Sequence, residues 1–334
     1  MNSITLSICI PTYSRGVILY HNLNHNLNLS LDDVELVISD NDSKNDTEIL
    51  IRSIKDKRIK YFKNDKNLGY DINLLKLVER ANGSYILLLS DEDLLNIKEI
   101  EKLVVYLRNN QQFTLILGSI GLIDEKNLAY HKYYQNEIMF KKDKFLKILS
   151  DFSLFHYGYM SGIVLKKSSL KTNELYTYNK NLYTHYCLML QALNAGPTLC
   201  TSNIFCYLGH QHETNFILNL DFGQAHAYQL EKRIQIIKKY IKEEHLYNSV
   251  LNSERNMIAY QLAWFLHDPF SIYKFFILLP HIFFIKEMKI KKVDFWLKVF
   301  LYIPLHIMWS IINHSFLNKL SFTTKYKILK IITP

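Results

Sequence analysis

The feature that most constrains the fold is a regular alternation of apolar runs and amphipathic segments over about the first hundred residues. Strand-like runs cover residues 4–10, 34–39, 59–62 and 85–89. Helical patterns between them cover residues 17–29, 47–54 and 70–81. A chain that alternates in this way is expected to form an α/β fold with a mostly parallel, doubly wound sheet flanked by helices. Ligands of such sheets bind at the carboxyl ends of the strands.

Three polar loops follow these strands and are expected at that edge of the sheet. Pro11 ends the first strand because it has no N–H to donate to the ladder, and residues 12–15 follow it. Residues 40–43 form a cluster of small polar residues after the second strand. The fourth strand ends abruptly in residues 90–93. The sequence therefore predicts one rim where all three loops meet.

The loop at residues 90–93, Ser-Asp-Glu-Asp, places three carboxylates at one point. Carboxylates this close repel one another, and Mg²⁺ or Mn²⁺ is the usual neutraliser because it takes oxygen ligands and bridges to nucleotide phosphates. The alternative is an acidic helix start, with Ser90 or Asp91 as N-cap and a helical pattern from Leu94 onward. The residues of this loop alone leave both interpretations open.

Later in the first domain, Ser161 and Gly162 interrupt a strand pattern over residues 159–165. A glycine there allows the close approach of a substrate or another backbone, and small residues needed only for packing are the alternative.

Neither of two common nucleotide-binding motifs is present, since GxGxxG does not follow the first strand and GxxxxGK[ST] is absent. Three ordered stretches, ICIPTYSR, VISDNDSKNDT and NLGYDINLLKLVERANGSYILLLSDED, instead resemble the family 2 glycosyltransferases with the GT-A fold. They are similar in particular to the abequosyltransferase-like branch of bacterial surface-polysaccharide enzymes. The resemblance covers about residues 3–210 and implies a GT-A type sheet with a helical C-terminal extension.

The resemblance implies nucleotide-sugar contacts at the first two loops. Pro11, Thr12 and Tyr13 match a loop that contacts the base, and Arg15 belongs to the same stretch. Asp40 matches an acid that hydrogen-bonds the base or the ribose.

Two further motifs carry implied contacts. Asn67, Gly69 and Asn73 match a motif that lies along the nucleotide and sugar. Asp91 and Asp93 match the DxD motif, whose acids hold the ribose and a Mn²⁺ or Mg²⁺ ion on the diphosphate. The acid between them is Glu92, whose longer side chain leaves open which two carboxylates contact the metal.

The activity implied by the resemblance is transfer of a sugar from a UDP-, dTDP-, CDP- or GDP-linked donor, with inversion. The implied acceptor is a bacterial surface glycan, free or lipid-linked. One alternative is a noncatalytic glycan- or nucleotide-binding protein on the same fold. Another is a nucleotidyltransferase, but this class needs a glycine- and lysine-rich phosphate loop after the first strand, which PTYSRG does not provide.

Transfer to a hydroxyl requires a base, which many relatives supply as an Asp before a helix. Counting back from Gly196 places Thr184 and His185 there, and a histidine suits a base near neutral pH. We therefore expect His185 to be the base. The alternatives are a helix-capping or acceptor-binding role for His185, with Asp151 or Glu174 as the base.

Other potential metal ligands give weaker patterns. Residues 210–213, His-Gln-His-Glu, indicate either a metal cluster or a polar loop that contacts acceptor or diphosphate. The four cysteines lack CxxC spacing, which predicts neither a zinc site nor a disulfide framework and favours a reduced, cytosolic setting.

The net charge of +9 requires an anionic partner. The first half has no dense basic run with interleaved aromatic residues, so nucleic acid is not expected. Apolar, aromatic residues 275–284 and 295–312, separated by a lysine-rich stretch, predict amphipathic helices on an anionic membrane surface. A helical cap, a dimer seam or a true span are the alternatives.

The chain is longer than a typical single domain. We expect a GT-A domain over residues 1–215, with a nucleotide-sugar half to about residue 97 and an acceptor half over residues 98–215. Residues 216–334 are expected to be helical and membrane-associating from about residue 270. The start of the sequence shows no secretory signal, so the predicted location is cytoplasmic and peripheral, on the inner face of the cell membrane.

Overall fold

The structure, a computed structural model, describes most of the first two thirds of the chain and little beyond. The described ranges are residues 3–123, 128–131, 138–140, 160–178, 183–209 and 230–245, with single positions between 247 and 299. The chain divides into two compact units, residues 1–146 with 155–212, and residues 147–154 with 213–334. In the second unit the structure describes helix Leu230–Tyr240.

The first unit begins with the predicted alternation of strands and helices. Its strands are β1 (Leu6–Thr12), β2 (Val34–Asp40), β3 (Ile59–Lys63) and β4 (Tyr85–Leu88). The helices between them are α1 (Gly16–Asn26), α2 (Thr47–Ser53) and α3 (Tyr70–Arg80). Strand β1 pairs in parallel with β2 and with β4, and β2 pairs in parallel with β3. The predicted parallel sheet is confirmed for this part of the chain.

The remaining described strands extend the sheet of the first unit. The strands are β5 (Leu94–Leu95), β6 (Leu115–Ile123), β7 (Leu128–His131), β8 (Ile138–Phe140), β9 (Ile163–Lys166) and β10 (Thr198–Leu208). The helices are α4 (Ile97–Asn109), α5 (Thr184–Ala195) and α6, the helix Leu230–Tyr240. The main sheet has the order β3-β2-β1-β4-β9-β6-β10-β5, with β7 beside β6 and β8 beside β10. Its second half is mixed, because β9 runs antiparallel to both neighbours.

Burial on both faces explains the apolar character of the central strands. Every residue of β1, β2 and β4 is buried, and Tyr85 donates its hydroxyl to the carbonyl of Phe113 at 2.9 Å. Strands covered on both faces favour continuous apolar runs over strict alternation. These runs made the first half of the sheet predictable from the sequence.

The helix predicted to begin at Leu94 is wrong. Leu94 and Leu95 form β5, which pairs antiparallel with β10, and α4 begins at Ile97. The N-cap of α4 is Asn96, whose side chain accepts a hydrogen bond from the amide of Glu99. The interpretation of the acidic loop as a helix start is therefore also wrong, because a strand separates the acids from the helix.

The strand predicted over residues 159–165 begins only at Ile163. Gly162 precedes it with φ of 85°, a left-handed conformation that favours glycine. Its amide donates to the carbonyl of Leu88, so the glycine brings two backbones together.

Several predicted features lie outside the described residues. These are Asp151, residues 210–213 and almost all of the apolar segments at 275–284 and 295–312. Within the described part of the chain, no helix has the length and apolar character needed to cross a membrane.

Candidate active site

The carboxyl ends of β1, β2 and β4 meet at one edge of the sheet. Thr12, the last residue of β1, is in register with Asp40, the last residue of β2. The amide of Leu89, just after β4, donates to the carbonyl of Cys9 in β1 at 3.0 Å. The three polar loops predicted from the sequence therefore share one rim.

Residues 90–93, which we call the acidic turn, are tied to the loop after β1. Asp91 is only 6% exposed, and its carboxylate accepts hydrogen bonds from Thr12 Oγ1 at 2.7 Å and from Arg15 Nη1 at 3.3 Å. The Arg15 guanidinium also contacts Glu92 Oε2 at 2.7 Å. Burial raises the pKa of Asp91 to about 6, although Thr12 and Arg15 both oppose that rise.

The fully buried carboxylate of Asp93 is held by two segments that are distant in sequence. Its Oδ2 accepts a hydrogen bond from Ser161 Oγ at 2.5 Å, and its Oδ1 accepts one from the amide of Gly209 at 3.2 Å. Ser161 Oγ in turn accepts a hydrogen bond from the amide of Ser90 at 2.9 Å. Ser161 thus joins both ends of the acidic turn.

Gly209 also lies unusually close to the turn's backbone. A Cβ at this position would stand 1.9 Å from the carbonyl oxygen of Glu92. Any larger residue must therefore displace either the turn or the end of β10.

The chemistry of the acidic turn fits a hard divalent cation. Among the residues that the structure describes, no group of three or more His, Cys, Asp and Glu side chains could hold a metal ion. Mg²⁺ commonly binds through one or two carboxylates and completes its shell with substrate phosphates and water. Asp91 and Asp93 are the two carboxylates of this turn that would suit such binding, and the Arg15 guanidinium contacts Asp91 at 3.3 Å.

Asp40, the predicted nucleoside-binding acid, is fully buried and fixed at the rim. Its Oδ1 accepts from the amide of Ser43 at 2.8 Å and from Ser43 Oγ at 2.5 Å. Its Oδ2 accepts from the hydroxyl of Tyr61 in β3 at 2.5 Å. The sequence pattern identified Asp40 but neither of these partners.

Other residues of the first two loops have different degrees of exposure. Pro11 is buried within β1, whereas Tyr13 is 48% exposed on the rim. Ser14 adopts a positive φ of 58°, and its amide donates to Ser43 Oγ at 2.8 Å. The loop after β1 is thus fastened to the loop after β2.

Asn67 and Gly69 of the predicted middle motif are braced against the loop after β2. Asn41 donates its side-chain amide to Asn67 Oδ1 at 2.7 Å and accepts from the amide of Leu68 at 2.9 Å. Gly69 has φ of 79°, in the left-handed region, and its amide donates to Asn67 Oδ1.

The side-chain amide of Asn73 forms hydrogen bonds within the protein through both its nitrogen and its oxygen. It donates to the carbonyl of Ser39 at 2.9 Å and accepts from Ser39 Oγ at 2.7 Å and from Asn64 at 2.8 Å. These contacts join α3 to the end of β2 and to the loop after β3.

His185 lies in the first turn of α5, which begins at Thr184. Its Nδ1 is 3.0 Å from the hydroxyl of Tyr70, the first residue of α3. Thr184 Oγ1 donates to Asp71 Oδ1 at 2.8 Å beside this contact. The start of α5 is therefore fixed to the start of α3, directly after the middle motif.

The alternatives for His185 and the base have different outcomes. Tyr183 occupies the N-cap of α5, where no side-chain hydrogen bond caps the helix, so His185 is not the capping residue. Glu174 lies in the short 3₁₀ helix Thr172–Glu174 and pairs with Lys171 at 3.7 Å.

The profile of the family described as "Glycosyl transferase family 2" matches residues 7–173, which is half of the chain. The chain belongs to glycosyl transferase family 2. The matched region contains β1 to β4, the acidic turn and Ser161. It ends before His185 and Gly209.

Relatives of this family 2 chain include two bacterial enzymes. It is 28% identical over 206 residues to abequosyltransferase RfbV of Salmonella typhimurium, covering 57% of this chain and 61% of that protein. It is 26% identical over 181 residues to a GalNAc(5)-diNAcBac-PP-undecaprenol beta-1,3-glucosyltransferase of Campylobacter jejuni, covering 53% of this chain and 56% of that protein. These likenesses confirm the predicted resemblance to bacterial surface-polysaccharide glycosyltransferases.

A third relative, an uncharacterized glycosyltransferase of Methanocaldococcus jannaschii, is 32% identical over 111 residues, which are 33% of this chain and 38% of that protein. The chain therefore spans between about two fifths and three fifths of the length of these three relatives.

Among solved structures, the chain is similar to S. aureus TarS in complex with UDP, with a TM-score of 0.56 and 13% identity. The likeness covers 91% of this chain and 82% of that chain. It confirms the predicted GT-A type fold.

Proposed function

We propose that the chain transfers a sugar, with inversion, from a nucleotide diphosphate-sugar to a hydroxyl of a bacterial glycan. The single observation that carries this proposal is the way the acidic turn is held. Thr12 and Arg15 hold it on one side, and Ser161 and Gly209 on the other. This arrangement fixes two buried carboxylates at the edge of the sheet where ligands of α/β proteins bind.

The donor lies along the rim. Asp40 and the loop formed by Pro11, Thr12 and Tyr13 contact the nucleoside, and the middle motif supports the sugar. Asp91 and Asp93 hold Mn²⁺ or Mg²⁺, which when bound stabilises negative charge on the leaving diphosphate. Burial disfavours the charged form of Asp91 and raises its pKa, and a divalent cation beside the carboxylate would stabilise that charge. The burial and contacts of Asp91 therefore support this role.

The acceptor hydroxyl gives its proton to His185. The neutral imidazole suits this task near neutral pH. The contact of the buried His185 with Tyr70 supports the proposal, since it fixes the imidazole ring next to the middle motif.

The acceptor that we propose is lipid-linked, and the place of reaction is the cytoplasmic face of the cell membrane. The name of the Campylobacter relative describes an undecaprenol-linked glycan, which supports an acceptor of that class. Residues 1–215 form the catalytic domain in this proposal. Residues from about 270 onward associate with the anionic membrane surface, consistent with the net charge of +9.

The donor is identified by a panel of UDP-, dTDP-, CDP- and GDP-sugars with Mn²⁺ or Mg²⁺, scored by thermal shift and by release of nucleotide. We expect one nucleotide class to be released and a chelator to stop the release. Stabilisation without release by any donor would contradict catalysis and favour a noncatalytic binding protein.

Alanine variants test the metal ligands. Asp91→Ala and Asp93→Ala are each expected to lower transfer about 100-fold or more, the usual scale for losing charge stabilisation in the transition state. Asp32→Ala is the matched control, because Asp32 is an exposed acid that pairs with Lys57 at 3.5 Å. Unchanged transfer in both active-site variants would refute the metal assignment.

A further inference from the structure

The hydroxyl of Tyr70 lies between two possible partners. It is 3.0 Å from His185 Nδ1 and 3.3 Å from Met160 Sδ. The rings of Tyr70 and His185 meet edge to face, with their centroids 6.1 Å apart. Met160 directly precedes Ser161, which holds the acidic turn. One short segment therefore contacts both the proposed metal ligand Asp93 and the partner of the proposed base.

The Tyr70 hydroxyl has one proton to donate, so it can donate either to His185 Nδ1 or to Met160 Sδ. In only one of these two arrangements does it form a hydrogen bond with both partners. If the Tyr70 hydroxyl donates to Nδ1, His185 carries its own proton on Nε2, and the thioether of Met160 receives nothing. If the hydroxyl donates to Met160 Sδ, its oxygen accepts from Nδ1–H of His185. In this second arrangement both contacts are hydrogen bonds, and Nε2 is the unprotonated ring nitrogen, which can take up a proton.

The second arrangement also suits the protonated ring. Once His185 has accepted a proton, both of its nitrogens are donors, so the Tyr70 oxygen must accept. The hydroxyl proton must then point elsewhere, and Met160 Sδ lies within reach. The contacts around Tyr70 therefore need no reorientation when the ring becomes charged.

We propose that Tyr70, with Met160 behind it, is a positioning residue that holds His185 as the Nδ1–H tautomer and stabilises its imidazolium form. The inference rests on the proposed function, because it assigns His185 as the base. The acceptor oxygen passes its proton to Nε2 while it bonds to the sugar carbon. The bond from that carbon to the diphosphate oxygen breaks, and its electron pair leaves with the diphosphate.

Other titratable groups are close to this pair. On α3, Asp71 follows Tyr70 and accepts from Thr184. On α5 and just before it, Cys187 interacts with Tyr70, and the Tyr183 ring is 5.9 Å from that of His185. Burial, with Asp71 and Cys187 as further causes, raises the pKa of Tyr70 above its usual value, so its hydroxyl stays protonated.

Tautomers can be observed directly in the free protein. Nitrogen-15 correlation spectra of the full chain, with the His185 signal assigned by its loss in His185→Asn, distinguish Nδ1–H from Nε2–H. We expect Nδ1–H in the wild type and a shift toward Nε2–H in both Tyr70→Phe and Met160→Leu. The second variant keeps Tyr70 and His185 but removes the acceptor of the hydroxyl proton, with little change in volume.

Kinetics provide a second measurement, with the donor selected by the panel above. Tyr70→Phe and Met160→Leu are expected to lower kcat about tenfold or more, with the KM for donor unchanged, because base catalysis is worth about 10²–10⁴-fold in all. Both effects should vanish in a His185→Ala background, since coupled residues are not additive.

Two variants are the matched controls. Tyr176→Phe removes a hydroxyl that donates to Glu79 of α3, the helix that begins with Tyr70. Met189→Leu alters a buried methionine of α5, the helix that contains His185. Both should retain wild-type kcat and tautomer.

The outcomes separate the two proposals. An Nε2–H tautomer of His185 in the wild type overturns the positioning role. The role is also overturned if Tyr70→Phe and Met160→Leu keep the wild-type tautomer and kcat, as the controls should. Loss of transfer in His185→Ala with full transfer in Tyr70→Phe and Met160→Leu overturns the positioning role alone. Full transfer in His185→Ala overturns the assignment of the base and, with it, the positioning role.

Discussion

Thr12 Oγ1 donates a 2.7 Å hydrogen bond to Asp91 Oδ2 across 79 positions of sequence. The bond joins the end of β1 to the turn that follows β4, the strand paired with β1. A carboxylate buried as deeply as that of Asp91 depends on such donors, because its charge is costly without them. Thr12 therefore holds the acidic turn in position and lowers the pKa of Asp91 against the larger, opposite effect of burial.

Replacing the Thr12 hydroxyl should weaken both its effect on the pKa of Asp91 and its hold on the acidic turn. Thr12→Val conserves shape and removes the hydroxyl, so it should lower the free energy of unfolding by about 1–2 kcal/mol near neutral pH. It should also raise the pKa of Asp91 further, and move the acidic limb of the transfer rate to higher pH. Denaturant unfolding and a pH–rate profile measure the two effects. Thr177→Val is the control, since that exposed hydroxyl contacts only the carbonyl of Glu174 among its described partners. An unmoved pH profile in Thr12→Val would contradict the prediction.

The raised pKa of Asp91 predicts a stability cost near neutral pH. Its folded-state pKa of about 6 lies above the ordinary 3.8, so its contribution is present below about pH 4 and lost as the pH rises through 6. Asp91→Asn removes that loss and should be more stable than the wild type near pH 8, by up to about 3 kcal/mol. Urea unfolding with a chelator present, near pH 4 and pH 8, measures the difference.

Asp56→Asn is a control of opposite sign. A hydrogen bond from Arg58 lowers the pKa of Asp56, so its contribution is present near neutral pH and lost in acid. The Asp56→Asn variant should therefore be less stable than the wild type at pH 8. If Asp91→Asn were destabilised in the same way, the proposed cost of burying Asp91 would be wrong.

Ser161 should be essential to the acidic turn although it is outside the DxD motif. Ser161→Ala leaves Asp93 and the amide of Ser90 without the bridging hydroxyl, which should cost about 1–3 kcal/mol because both groups are buried or partly buried. The thermal shift produced by Mn²⁺ should also shrink. Ser169→Ala, which removes a hydroxyl bonded to the carbonyl of Lys166, should change neither quantity. Equal effects of the two substitutions would refute the bridging role.

The close approach at Gly209 predicts a strong effect from one methyl group. Gly209→Ala places a Cβ 1.9 Å from the Glu92 carbonyl oxygen, so either the acidic turn or the end of β10 must move, and the contact between Gly209 and Asp93 changes in both cases. We expect transfer to fall about tenfold or more, since small displacements of positioned groups are costly in catalysis. Asn203→Ala, at an exposed position of β10, the strand that precedes Gly209, should retain activity. Wild-type transfer by Gly209→Ala would show that the turn tolerates the shift.

The sequence predicted the parallel half of the sheet because β1, β2 and β4 are buried throughout and are mostly apolar, with amphipathic helical patterns between the strands. It did not predict β10, which mixes polar residues into its centre and shifts register twice against β6, between Cys200 and Cys206. It misassigned Leu94 and Leu95 because their conformation is set by pairing with β10, which no local pattern reveals.

For the site, the sequence identified the acids by their order along the chain but not the groups that hold them. Tyr61 and Gly209 belong to none of the motifs and contact Asp40 and Asp93, respectively, only in the folded chain. Ser43 lies in the second motif stretch, but the sequence did not indicate its two hydrogen bonds to Asp40. Tyr70 lies within the third motif stretch, but nothing in that stretch indicates its contact with His185, which lies 115 positions away.

The hydrogen bond from the amide of Gly209 to Asp93 spans 116 positions. During translation, Asp93 is therefore synthesised long before Gly209, whose amide completes its hydrogen bonds. Contacts of such long sequence separation form late, because the entropy of closing the intervening loop opposes them. A nascent chain that ends with the family match at residue 173 would carry Asp91 and Asp93 and still lack the Gly209 amide that completes the hydrogen bonds of Asp93.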